Sequence, residues 1–292
     1  MGEVKATLIG FSAIVMWGAL AVFTTWTGGI PPFQLVGMTF TIAFLLMLAK
    51  WLWRGEAIGA HLRQPVRVWI FGTAGLFGYH FFYFMALKNA PAVEASLIAY
   101  LWPLLIVVFS ALLPGSERLG WHHIVGVLLG LGGCVLLVTD GGSVRFKDQY
   151  LLGYLSAAAC ALTWSSYSVG SRYFGKVPTD AVGWFCAATA IGGFVCHGLF
   201  ETWIQPETPL IWSAILLLGL GPVGAAFFAW DIGMKRGNIR TLGALSYMAP
   251  LLSAILLVVA GQASVSLVLA LACVAIVAGA LLAAKDMIRR RI

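Results

Sequence analysis

The sequence predicts an all-α integral membrane protein of ten transmembrane helices, arranged as two five-helix repeats of inverted topology. Three observations lead there: too little charge for a water-facing surface, ten apolar runs of spanning length, and self-similarity at one constant offset. The chain has 292 residues, of which 61% are hydrophobic and 10% charged, and its mean hydropathy is +0.93. Soluble chains carry roughly 25% charged residues. A chain this poor in charge turns its outer surface to lipid.

A spanning helix needs roughly 20 mostly apolar residues to cross a hydrocarbon core about 30 Å thick. Ten segments meet that length, near 6–26, 33–53, 68–87, 91–113, 120–139, 150–172, 180–200, 209–231, 240–260 and 264–284. The first follows Glu3 and Lys5 and exceeds the roughly 7–15 apolar residues of a signal-peptide core, so it counts as a span. The third holds Gly72, Gly75 and Gly78 and then Tyr79-His80-Phe81-Phe82-Tyr83. The fourth starts after Pro91, with Glu94 in its first turn, where the helix dipole favours an acid. The fifth carries Gly126, Gly130 and Gly133, small residues that suit close packing or dimerisation. Trp164 marks the sixth, His197 the end of the seventh, and Gly219, Gly221, Pro222 and Gly224 the eighth. Pro250 lies in the ninth, as Pro103 does in the fourth. Barrel strands would alternate apolar and polar residues, and these runs do not.

With ten spans, 15 of the 18 Lys and Arg fall on the side of the N-terminus, among them Arg118 and Arg289, Arg290 and Arg291. Only 3, Lys88, Arg145 and Lys147, fall opposite. The positive-inside rule then puts both termini in the cytoplasm.

Shifted by 147, the sequence meets itself: Trp17 on Trp164, Gly72 on Gly219, Phe81 on Phe228, Tyr100 on Tyr247, Pro103-Leu104-Leu105 on Pro250-Leu251-Leu252. The reading is two units, 1–145 and 146–292, of five spans each. Five is odd, so the second unit enters the membrane upside down. Inverted repeats are typical of secondary transporters, whose binding sites lie near mid-membrane between the halves. A duplicated channel or a structural membrane protein remains the alternative from another class.

Composition excludes several classes. The net charge of +7 is scattered between apolar runs and forms no stripe for nucleic acid. The five cysteines all lie inside apolar runs, so no disulfide and no metal site is expected. Neither a phosphate-binding loop, a zinc motif nor a nucleophile elbow occurs, so no enzyme and no cofactor is expected. No Lys or Arg sits at mid-depth to hold a phosphate.

Ionisable groups inside a membrane are costly and usually functional. His80 is the one placed near the middle of a span, and a neutral, hydrogen-bonded histidine accounts for it as well as a role in substrate or proton binding. Trp and Tyr normally collect at membrane interfaces, but Trp17, Tyr79, Tyr83, Tyr100, Trp102, Trp164 and Tyr247 map to span centres. Buried hydroxyls and indole N–H groups need partners, so these side chains turn inward. Helix packing is one explanation. The other is an aromatic-lined binding cavity walled by Trp17, Tyr79, His80, Tyr83, Tyr100, Trp102 and Trp164. Pro103 and Pro250 each remove a helix hydrogen bond and are candidate hinges.

Ten spans, a five-plus-five repeat, Trp17-Gly18 with Trp164, and Pro-Leu-Leu in the fourth and ninth spans resemble the EamA-type carriers of the drug/metabolite transporter superfamily. Tyr79-His80-Phe81-Phe82-Tyr83 and Tyr100-Leu101-Trp102-Pro103 look most like the bacterial aromatic amino acid exporters. The resemblance implies export of phenylalanine, tyrosine and tryptophan across the bacterial inner membrane by a monomer or homodimer, without cofactor. A broad drug exporter is the alternative within transport. The halves differ at two wall positions: Ala249 faces Trp102 in the alignment, and Phe227 faces His80.

Overall fold

A computed structural model describes residues 1–113 and 119–285; Arg118, Arg289, Arg290 and Arg291 lie outside the described residues. Among the described residues the secondary structure is helical throughout, without strands. An apolar run in lipid must satisfy its own backbone, and the helix does so within one segment.

Eight helices are long and apolar enough to cross a membrane: α1 Glu3–Thr25, α2 Pro32–Arg54, α3 Val66–Asn89, α4 Ala92–Ser110, α5 Trp121–Thr139, α7 Ala181–Phe200, α8 Pro209–Arg236 and α9 Ile239–Val259. Two more complete the bundle. Helix α6, Leu151–Tyr173, has 23 residues but is diluted by buried serines such as Ser165 and Ser168. Helix α10, Leu267–Ala283, is apolar but only 17 residues long. Local chemistry sets the ends: Pro32 opens α2 at its first position, and Gly55 closes it in the left-handed region at φ 66°.

Several of these helices are interrupted, and the interruptions correspond. Helix α3 widens to π geometry over Ala74–Gly78, and α8 does so over Gly221–Ala225, each segment five residues long. Pro222 supplies no N–H to the second of these, and glycines border both. Helix α4 breaks between Ala99 and Trp102, and α9 between Leu245 and Met248, just ahead of Pro103 and Pro250. Sequence reading expected kinks at these prolines but continuous helix through Gly75 and Gly221.

The principal contacts cross from one half to the other: α1 on α8 and α9, α2 on α7, α3 on α6, α4 on α6 and α9, α5 on α10. Helices α2 and α7 run antiparallel. The Glu201 carboxylate at the end of α7 accepts from the Phe33 and Gln34 amides at 3.0 and 3.1 Å, capping the start of α2. Small residues allow the closest crossings. A Cβ on Gly126 would stand 2.6 Å from the Gly279 carbonyl oxygen, and one on Gly133 2.6 Å from Ile276. The glycine face of α5, one candidate for dimerisation, is therefore spent on α10 within the chain.

Leucines and valines such as Leu8, Leu128, Leu155 and Val274 point outward and are exposed, the pattern of a lipid-facing surface. The start of α1 meets the end of α8, where the Asn238 amide donates to Thr7 Oγ1 at 2.9 Å. The end of α10 meets the start of α5, with Lys285 over the Trp121 ring at 5.4 Å. Each end of the described bundle thus meets a helix end of the other half, and the face holding the start of α1 and the end of α8 is hereafter the terminal face.

Candidate functional site

Trp17 stands at the centre of the bundle, and its indole N–H donates to the Pro222 carbonyl at 3.0 Å, inside the π segment of α8. Its ring meets Trp230 at 5.0 Å, Trp164 at 5.7 Å, Phe227 at 6.2 Å and Trp102 at 6.3 Å. Four helices, α1, α4, α6 and α8, thus converge through four tryptophans. Edge-to-face and tilted contacts dominate, the arrangement that aromatic quadrupoles favour.

The other expected wall residues join or adjoin this cluster. Tyr79 packs on Trp164 at 5.2 Å and stacks on Tyr83, one turn along, at 6.2 Å with planes 5° apart. His80 meets Phe40 at 5.0 Å and Phe227 at 6.2 Å. Tyr100 lies at the break in α4, and its carbonyl accepts the Tyr247 hydroxyl at 3.2 Å. Six of the seven expected residues are thus linked ring to ring, whereas Tyr100 packs against the adjoining cluster around Tyr247 and Ile276, and burial divides them further. Trp102 and Trp164 are 6% and 3% exposed and form the packed base of the cluster. Trp17, Tyr79, His80, Tyr83 and Tyr100 keep part of their surface accessible.

The His80 ring is held by its Nδ1, 2.8 Å from the Leu76 carbonyl. A carbonyl only accepts, so Nδ1 carries a proton, and in the neutral ring Nε2 is left as an acceptor. The π segment containing Leu76 therefore sets the orientation of the one ionisable side chain among the seven. That local group offers tyrosine and tryptophan donors and a histidine acceptor, without a fixed ion.

Sequence reading missed three members. Phe40, Phe227 and Trp230 are all buried in the cluster. Phe227 was legible only as the repeat partner of His80. Trp230 donates to Ser168 Oγ at 3.0 Å, and the next residue, Asp231, is a carboxylate only 3% exposed. The span was expected to end at 231, where a tryptophan and an acid read as a membrane boundary; the helix continues to Arg236.

Other ionisable groups have structural roles. His197 Nδ1 lies 3.0 Å from the Glu201 carboxylate that caps α2. On the terminal face, Asp180 accepts from Lys50 Nζ and, at 3.1 Å, from the Trp51 indole. Burial alone would raise the Asp180 carboxyl, but the hydrogen bonds from Lys50 and Trp51 and the charges of Lys50 and His61 outweigh it and hold it below its usual range. Ligand atoms of Glu56, His61 and Asp180 lie within 4.8 Å of one another. The Lys50 ammonium sits among them, 3.7 Å from Glu56, so this group is an ion-pair network with its own cation.

Comparison with known proteins agrees with this architecture. The profile of the EamA-like transporter family matches twice, at residues 4–139 and 151–285. The aromatic amino acid exporter YddG of Ancylobacter novellus is 55% identical over 284 residues, 97% of this chain and 98% of that protein. The protein of the same name from Salmonella typhimurium is 26% identical, with 88% of each chain covered. A crystal structure of a protein 55% identical superposes with a TM-score of 0.91 over 97% of this chain and 98% of that one. The chain is a multi-pass membrane protein of the EamA-like transporter family.

Proposed function

We propose that the protein exports phenylalanine, tyrosine and tryptophan across the bacterial inner membrane by alternating access, with the aromatic locus as its binding site. The observation that supports this reading is the ring-to-ring grouping of Trp17, Tyr79, His80, Tyr83, Trp102 and Trp164, with Tyr100 in the adjoining cluster. Flat rings stack on flat rings, and the His80 Nε2 acceptor and tyrosine hydroxyls suit the polar end of a zwitterion. Relatives named as aromatic amino acid exporters support the same substrate class.

The architecture we infer is ten crossings in two inverted repeats, 1–145 and 146–292, with both termini cytoplasmic. Supporting it are the paired π segments, the paired breaks before Pro103 and Pro250, and the doubled family match. Helices α2 and α7, counterparts in the two halves, run antiparallel, as inversion requires. Pro103 and Pro250 would be flexing points beside the site.

Counterflow in liposomes tests the reading. Purified protein in vesicles preloaded with unlabelled phenylalanine should accumulate labelled phenylalanine saturably, above protein-free vesicles. Equal uptake with and without protein would refute carrier activity on this solute.

A further inference from the structure

Between the tryptophan cluster and the terminal face lies a buried ion pair that substrate binding does not use. Asp231 and Lys235 stand one turn apart on α8, 3% and 7% exposed, with Lys235 Nζ 2.8 Å from Asp231 Oδ2. Each also reaches the connector between α6 and α7. The Thr179 hydroxyl donates to Asp231 Oδ2 at 2.6 Å, and Lys235 Nζ donates to the Val177 carbonyl at 2.9 Å. Arg172, near the end of α6, donates from Nε to the Met234 carbonyl at 3.0 Å and from its guanidinium to the Gly237 carbonyl. With the Trp230–Ser168 bond above them, these contacts close the seam between α6 and α8 from the cluster down to the face.

Nothing comparable stands at the repeat-related positions. Subtracting the offset takes Asp231 to Phe84, Lys235 to Lys88, Thr179 to Pro32 and Arg172 to Thr25. The Phe84 side chain accepts no hydrogen bond, Lys88 is exposed, and the Thr25 hydroxyl bonds the Val22 carbonyl of its own helix at 2.7 Å and lies 3.1 Å from Gln262 Oε1. The buried Asp–Lys pair and its connector contacts thus have no equivalent at the repeat-related positions.

Its chemistry fits a seam that must part. Separating a buried ion pair strands charge in a poor solvent and is costly. Here both ions ride on the same helix, and the connector supplies only a hydroxyl and a carbonyl. When α8 leaves the connector and α6, the pair travels intact; what is lost is those two bonds, the two from Arg172 and the Trp230–Ser168 bond.

We propose that Asp231 and Lys235 are positioning residues of the transport cycle: through Thr179 and Val177 they hold the 174–180 connector against α8 and keep the terminal face closed in this conformation. The inference rests on the carrier reading but not on the identity of the solute.

The test keeps the ion pair and removes one bond. Thr179→Val preserves shape and both charges, whereas Asp231→Asn would leave Lys235 buried without its partner and risks misfolding. Spin labels at Tyr173 and Arg236, both exposed, report the width of the seam in full-length protein with its native cysteines replaced. In Thr179→Val the ratio of wide to narrow distances should rise roughly tenfold, the weight of one hydrogen bond to a charged group. Thr179→Ser, which restores the hydroxyl, should return the wild-type distribution. Unchanged distances in Thr179→Val, or a seam as wide in Thr179→Ser as in Thr179→Val, would overturn the proposal. The measurement needs no solute, so a failure of phenylalanine transport would count against the substrate assignment and leave this seam result to be judged separately.

Discussion

The Tyr247 hydroxyl donates to the main-chain carbonyl of Tyr100 at 3.2 Å, and the two residues are 147 apart, each at the break of its own helix. Tyr100 keeps part of its surface accessible, whereas Tyr247 is fully buried. Corresponding tyrosines thus differ in environment, one partly accessible and one buried and bracing the break in its counterpart's helix. Tyr247→Phe keeps the ring and deletes the bond. Thermal unfolding in detergent should show a loss of about 1 kcal/mol, a lowering of the midpoint by roughly 2–4 °C.

The Tyr247 ring also lies against Gly130, where a Cβ would stand 2.6 Å from it. Gly130→Ala should therefore destabilise the chain by about 1–3 kcal/mol through overpacking. Gly132→Ala, on the same helix with open space at its Cβ, is the control and should be near neutral. Equal midpoints for both variants would refute this packing.

At the aromatic locus, burial decides which substitutions inform. Trp102→Ala would open a cavity in the packed base and cost about 3–5 kcal/mol, so lost transport there would say little about binding. Tyr83→Ala removes a partly exposed ring. It should abolish phenylalanine flux while expression and unfolding midpoint stay near wild type.

His80→Phe retains packing against Phe40 and Phe227 and removes the Nε2 acceptor. The concentration of phenylalanine giving half-maximal flux should rise roughly tenfold, as for the loss of one charged hydrogen bond. An unchanged half-maximal concentration would remove His80 from substrate contact.

The Lys50–Asp180 contact on the terminal face gives a pH dependence. The Asp180 carboxyl is held below its unfolded value of 3.8. A depressed carboxyl contributes stability that is fully present above the unfolded value and is lost as pH falls through the folded one. Asp180→Asn should cost about 1 kcal/mol at pH 7, given the partial exposure of both partners. The gap between wild type and variant should close on acidification below the unfolded value. A gap that persists there would show that the carboxylate charge is not what stabilises this contact.

Hydropathy made the bundle legible because lipid imposes a length and an apolarity on every crossing. The inward packing of the mid-span aromatics was legible for a related reason: a tryptophan or tyrosine at mid-span has no interface to occupy and must turn inward. Trp230 and Asp231 escaped because the same logic, applied near the end of an apolar run, reads an aromatic and an acid as the membrane boundary. Their burial comes from α6 and the 174–180 connector, which no local pattern announces. The π segments were hidden as well, since Gly75 or Pro222 within an apolar run signals close packing as readily as altered winding. His197 and Glu201 pair one turn apart, yet only the three-dimensional contact of α7 with α2 shows Glu201 capping another helix.

The central claim, that the aromatic locus selects aromatic amino acids for transport, is tested most directly by competition in proteoliposomes. Labelled phenylalanine should enter saturably and be blocked by unlabelled tryptophan and tyrosine, but not by alanine, glutamate or a sugar phosphate. Equal competition by unrelated apolar drugs would indicate a broad exporter. Saturable phenylalanine flux that tryptophan and tyrosine leave untouched would contradict the account.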